Sequence, residues 1–144
     1  MPENANSYKQ IRVNGVFFRI PAFFLMFTPF RVPYGKAHQL ATKQGFTLKT
    51  TSAQEFNGIL EKPVSFGRGW IAVEIEPPAS EHPRVFRFEG DFQGYLHIGP
   101  YSKIGKAYKQ IMKDNPRAKE FYNLYMNDPK VARPSDLRTL VLFR

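Results

Sequence analysis

The stretch "PYSKIGKAY", Pro100 to Tyr108, has a counterpart earlier in the chain, "PYGKAHQLA", Pro33 to Ala41. Sliding the sequence along itself by 67 positions lays Pro33, Tyr34 and Lys36 on Pro100, Tyr101 and Lys103. The same shift carries Ala37, Leu40 and Ala41 onto Ile104, Ala107 and Tyr108. These last positions follow the i, i+3, i+4 spacing of one helix face, so each copy predicts a short amphipathic helix opening just after a Pro-Tyr step. Gly45 behind the first helix and Asn115-Pro116 behind the second supply the stops. Glycine accepts the left-handed cap, and proline lacks the N–H that would continue the ladder.

Working outward, "FNGILEKP" (Phe56 to Pro63) falls on "YNLYMNDP" (Tyr122 to Pro129) at an offset of 66, sharing an aromatic, Asn57 with Asn123, an apolar pair and the closing prolines. Both segments are strand-like and end in turn chemistry. Returning to 67, "WIAVEIE" (Trp70 to Glu76) lies over "LRTLVLF" (Leu137 to Phe143), two segments with strand alternation. Ahead of the helices, "AFFLMFTPF" and "DFQGYLHIGP" share hydrophobic character alone and are expected to be extended.

A βαββ unit of about 60 residues has one helix to cover one sheet face and is marginal by itself, so two units are expected to share a core. The expected fold is α+β and a single domain over residues 1–144. It consists of duplicated βαββ units with pseudo-twofold symmetry, an antiparallel sheet with two main helices on one face, and a cleft between the helices. The first repeat is placed at about 16–77 and the second at about 84–144, with "EPPASEHP", about 76–83, as linker.

Composition narrows the chemistry. With 42% apolar and 15% aromatic residues the chain is too hydrophobic to be disordered. It has no cysteine, which removes thiolate nucleophiles, disulfides and cysteine-held zinc, and accords with a reducing, cytoplasmic setting. His38, His82 and His97 lack metal-ligand spacing, so neither a metal nor another cofactor is expected. The greasiest run, "GVFFRIPAFFLMF", is interrupted by Arg19 and Pro21 and falls short of the roughly 20 apolar residues that cross a bilayer. No membrane association is expected. The net charge of +9 favours anionic partners, but Lys and Arg are scattered rather than gathered into a stripe, which argues against nucleic acid.

The second half, "YLHIGPYSKIGKAYKQI" followed by "YNLYMNDPKVARPSDLRTLVLF", resembles the GyrI-like small-molecule-binding family. That family comprises the DNA gyrase inhibitory protein and the effector-binding domains of multidrug-responsive bacterial transcription regulators. Gly99-Pro100-Tyr101, Asn127-Asp128-Pro129, Pro134 and Leu137-Arg138-Thr139 carry the likeness, over about 60 residues. It implies two βαββ halves enclosing an aromatic pocket for hydrophobic, often cationic, small molecules. Many cation-binding members have a buried glutamate four residues before the Asn-Asp-Pro triplet. Here that position is Asn123, matched by Asn57 in the first half, so neither copy supplies the carboxylate there, and a neutral or anionic ligand is equally well served. The family's regulators carry a helix-turn-helix domain ahead of the module; with about 15 residues before the first strand region, a stand-alone protein is expected.

Strand parity puts Phe121, Asn123 and Tyr125 on one face and Tyr122, Leu124 and Met126 on the other. The candidate ligand-binding residues are Trp70, Glu74, Tyr95, Tyr101, Tyr108, Asn123 and Tyr125. Glu74 lies on the strand face opposite Ile71, Val73 and Ile75; it is the candidate catalytic residue should the pocket hydrolyse electrophilic small molecules, with His97 a conceivable partner. The leading expectation is binding of an aromatic or amphipathic small molecule. Its rivals are that hydrolase, or an inhibitor that contacts a protein partner (a topoisomerase or a regulator) or nucleic acid through its basic surface.

Overall fold

The computed structural model describes residues 8–21, 34–49, 59–65, 68–127 and 132–144. In chain order these form β1 (Tyr8–Pro21), α1 (Tyr34–Lys43), β2 (Ile59–Ser65), β3 (Arg68–Glu74), β4 (Val85–Ile98), α2 (Ile104–Asp114), β5 (Phe121–Tyr125) and β6 (Arg138–Phe143). Short 3-10 turns at Tyr101–Lys103 and Pro134–Asp136 precede α2 and β6. Element order in each half is therefore strand, helix, strand, strand.

Every strand pairing is antiparallel, and the sheet closes into a barrel in the order β1-β3-β2-β5-β6-β4. The expected antiparallel sheet with two helices on one face is present, and it closes on itself because both of its faces are apolar. Phe17, Leu60, Ala72, Phe88, Phe92, Tyr122 and Leu142 pack together as one buried cluster inside the barrel. Their sequence neighbours Phe18, Ile20, Ile59, Ile71 and Val73 point the other way, under Ala37 and Ala41 of α1. On the far side Ile111 of α2 sits on Val141 and Phe143. Rolling the sheet buries the inner set without a second layer and leaves no open edge.

β2 contains Pro63, which cannot donate to a ladder, and the pairing with β3 shifts register between Lys62 and Ser65. Gly99, at the end of β4, has φ +139°, a conformation that side chains with a Cβ rarely adopt. Its N–H bonds to the Leu137 carbonyl at 2.8 Å as the chain leaves the sheet and turns Tyr101 back across it. His97 Nε2 lies 3.1 Å from the Pro100 carbonyl oxygen and steadies the same turn.

Several sequence expectations shift. The first strand is Tyr8–Pro21, ahead of the expected start near residue 16, whereas "AFFLMFTPF" lies outside the described residues, as do Phe56 and Asn57. The helix register also differs. Ala37 and Ala41 correspond in burial to Ala107 and Ile111, not to Ile104 and Tyr108, because the second helix opens only after a 3-10 turn that uses up Tyr101–Lys103. In the last strands the offset of 67 is odd, and an odd shift exchanges the two faces of a strand. Ile71, Val73 and Ile75 face the helix, and so do Thr139, Val141 and Phe143, so β3 and β6 correspond only at an even offset.

Candidate functional site

α1 covers β1 and β3, and α2 covers β4 with β6. Because β2 and β5 are neighbours between those two pairs, their seam lies between the helices on the outer surface of the barrel. The register of the seam is Ile59 with Tyr125, Leu60 with Leu124, and Glu61 with Asn123. Leu60, Leu124 and Tyr122 turn inward; Glu61, Asn123 and Tyr125 turn outward. The expected parity of β5 thus holds.

Glu61 is the centre of the site. Its Oε1 accepts a hydrogen bond from the Asn123 amide at 3.0 Å and a short one from the Tyr125 hydroxyl. The other side of the Asn123 amide accepts from the Tyr108 hydroxyl, which reaches down from α2. Tyr101 stands edge-on to Tyr125, ring centroids 5.2 Å apart. Three tyrosines from the 3-10 turn, α2 and β5 therefore surround one half-buried carboxylate. Both hydrogen bonds to Glu61 end on the same oxygen, and among the described residues Oε2 accepts none. A carboxylate beside tyrosine rings can receive a cation or a hydrogen-bond donor.

The electrostatics keep the surrounding hydroxyls protonated. Burial first, then the negative charge of Glu61, pushes the Tyr108 hydroxyl above the ordinary phenol range, its bond to Asn123 opposing. Tyr125 is likewise raised well above that range for the same two reasons, with its hydrogen bond to Glu61 adding to them. Thr139, the register partner of Tyr125 on β6, is fully buried, and its hydroxyl has no hydrogen-bond partner among the described residues.

Of the residues expected from sequence, Tyr101, Tyr108, Asn123 and Tyr125 come together here. Tyr95 lies with Tyr108 in the cluster beneath α2, but its ring packs on Tyr8 at 5.6 Å, toward the far end of the helix. Trp70 and Glu74 occupy the other face of the sheet. Trp70 packs on Phe86, Phe88 and Tyr122 at one end of the barrel interior. Glu74 lies over Gly15 and pairs with Lys49 at 3.6 Å. Glu74 and His97 are not brought together, since His97 is held at the Pro100 turn.

A carboxylate does stand beside Asn123, and it is Glu61. Searching at the Asn123 position and its repeat counterpart could not find it, because the acid comes from the strand opposite rather than from a matching place. An acid between Leu60 and Lys62 in a short strand ahead of a proline is the one signal in the sequence that could have led to it. Among the described residues no group of three or more His, Asp or Glu is arranged to hold a metal ion. No helix among them is long and apolar enough to cross a membrane.

No protein-family model and no curated protein sequence matches the chain. Solved structures do. A hydrolase from Listeria innocua superposes with a TM-score of 0.59 at 17% identity, over 95% of this chain and 90% of that one. The C-terminal domain of EcmrR gives a TM-score of 0.61 at 14% identity, covering 94% of each chain. EcmrR in its DNA complex gives 0.63 at 14% identity, with 98% of this chain matched to 58% of that one. The protein is thus similar in fold to the C-terminal domain of EcmrR and to the Listeria hydrolase: a six-stranded antiparallel barrel flanked by two helices.

Proposed function

We propose that the protein binds a small aromatic molecule carrying a positive charge or a hydrogen-bond donor at the β2–β5 seam, in the manner of a GyrI-like effector-binding module. The observation that carries this is the Glu61 carboxylate beside Tyr101, Tyr108 and Tyr125, held by Asn123 and Tyr125 on one oxygen, while among the described residues the other oxygen accepts no hydrogen bond. A cation there gains both Coulomb attraction and the negative faces of the rings. The likeness in fold to the EcmrR C-terminal domain supports a ligand-binding role, and the two strand–helix–strand–strand halves are read as copies of one unit. Sequestering the ligand, or reporting it to a protein partner such as a regulator or a topoisomerase, is the use this binding would serve.

The test is calorimetric titration with two flat rings of one size, 9-aminoacridinium and uncharged acridine, at neutral pH. The cation should bind more tightly, and Glu61→Gln should weaken it about tenfold while leaving acridine unchanged. Equal affinity for both rings, or an indifferent Glu61→Gln, counts against the proposal.

A second reading is favoured by the likeness to the Listeria hydrolase. In it Glu61, through Oε2, acts as general base on a water attacking an electrophilic ligand. Turnover of an activated ester or epoxide that vanishes in Glu61→Gln while binding persists would support it, and absence of turnover in the wild type would remove it.

A further inference from the structure

On the opposite face of the sheet the barrel mouth opens into a cavity of about 520 Å³ lined by Arg19, Gly69, Trp70, His82, Pro83 and Arg84. Its size is that of a small-molecule site, for which roughly 300–1,000 Å³ is usual. Among the described residues its lining carries two guanidinium groups and no carboxylate, the reverse of the seam's charge. Among the described residues neither Arg19 nor Arg84 makes an ion pair; the pairs formed are Arg12–Asp91, Lys49–Glu74, Arg133–Asp136 and Arg144–Glu120.

The two arginines are brought together by the backbone. The Arg19 N–H bonds to the Arg84 carbonyl at 2.9 Å, joining β1 to the linker just ahead of β4. The Arg84 N–H in turn donates to His82 Nδ1 at 3.1 Å. An Nδ1 that accepts leaves Nε2 as the protonated, donating nitrogen of a neutral imidazole. The guanidinium of Arg19 lies 4.6 Å from the centre of the Phe86 ring and 5.9 Å from that of Trp70, and these two rings meet edge to face at 5.0 Å. Ring stacking thus fixes the position of one cation without neutralising it.

We infer that this mouth is a second binding site, for a small aromatic anion: a single ring bearing a carboxylate, sulfonate or phosphate. The guanidiniums of Arg19 and Arg84 take the anionic oxygens, whose fork geometry they match. The Trp70 indole meets the ring. The net charge of +9 draws such a ligand toward the protein. The site is separate from Glu61, on the other face of β2 and β3, and does not depend on the seam having a ligand.

Trp70 is the chain's one tryptophan, so its emission reports this mouth directly. The experiment titrates phenyl phosphate, benzyl alcohol and benzylammonium against Trp70 fluorescence. Phenyl phosphate should give a saturable change, benzyl alcohol one at least about tenfold weaker, and benzylammonium none. Arg19→Gln and Arg84→Gln should each weaken phenyl phosphate about tenfold, and Glu61→Gln should leave it unchanged. Arg84 takes part in the fold through backbone groups that glutamine retains, so Arg84→Gln decides the matter if Arg19→Gln fails to fold. Similar affinity for all three compounds, no saturable response to phenyl phosphate, or indifference to Arg84→Gln would overturn the inference.

Discussion

Glu61 on β2 and Asn123 on β5 stand directly opposite each other in register, and the Asn123 amide donates to Glu61 Oε1 at 3.0 Å while its carbonyl oxygen accepts from Tyr108. The amide bonds the facing carboxylate without adding a second acid to this seam. Two facing carboxylates could not both ionise, and one would retain a proton well above the usual range. Asn123→Asp should create that situation. A carboxyl whose folded pKa is raised lends stability that is fully present below the unfolded value, about 4, and is lost as pH rises through the folded one. The variant should therefore lose stability relative to wild type with increasing pH above that value, measured by urea denaturation across the acid-to-neutral range. A constant gap at every pH would show that the two side chains do not share the seam as described.

The tyrosines around Glu61 predict an alkaline signature. Tyr108 and Tyr125 are both raised, by burial foremost and then by the Glu61 charge, and Tyr122, inside the barrel, is pushed up to about 12 by burial and its bond to Glu120. A hydroxyl that holds its proton more tightly in the folded state contributes stability that is whole below its unfolded pKa of about 10 and drains away at higher pH. Ultraviolet titration of tyrosinate should show these groups ionising only as the protein unfolds. In Glu61→Gln the Tyr108 and Tyr125 ionisations should move part of the way back toward the ordinary phenol value, burial still holding them above it, and that shift should be absent in Glu120→Gln.

How much of this could be read from the chain depended on how local each signal was. The two helices, the strand after each, and the face shared by Asn123 and Tyr125 follow from spacing within a few residues, and the structure contains all of them. Barrel closure did not follow, because pairing of β1 with both β3 and β4 is a relation between distant segments. Glu61 was missed for the same reason. A search along the chain for a repeated position cannot see that an acid on one strand faces an amide on another. The face of Trp70 was left open because the strand "WIAVEIE" is apolar at Trp70 and Ala72 as well as at Ile71 and Val73, so composition alone does not say which side meets the helix.

Thr139 offers a test of packing beside the site. It is fully buried next to Tyr125, with a hydroxyl that no described group satisfies. A buried hydroxyl without a partner forfeits its hydration, a cost of about 1–3 kcal/mol. Thr139→Val keeps the shape and removes the cost, so stability should rise, by about 1 kcal/mol in chemical denaturation. A loss of that size instead would mean that the hydroxyl has a partner.

Gly94 on β4 is closely packed on both sides within the barrel. A methyl group placed there would lie 2.8 Å from Ile11 Cγ1 and 3.1 Å from Leu140 Cδ1, one on each neighbouring strand. Cγ1 is close to the Ile11 backbone and cannot swing away, so Gly94→Ala should cost about 1–3 kcal/mol through overpacking. Ile11→Ala alone should also destabilise, by leaving a void beside the inner cluster. Combined, the two changes put the new methyl where the old side chain was, and the double variant should be more stable than the two separate losses added together, by about 1 kcal/mol. Additive losses in urea denaturation would mean that Gly94 and Ile11 do not pack against each other, and that the strands flanking β4 are not joined through the barrel interior.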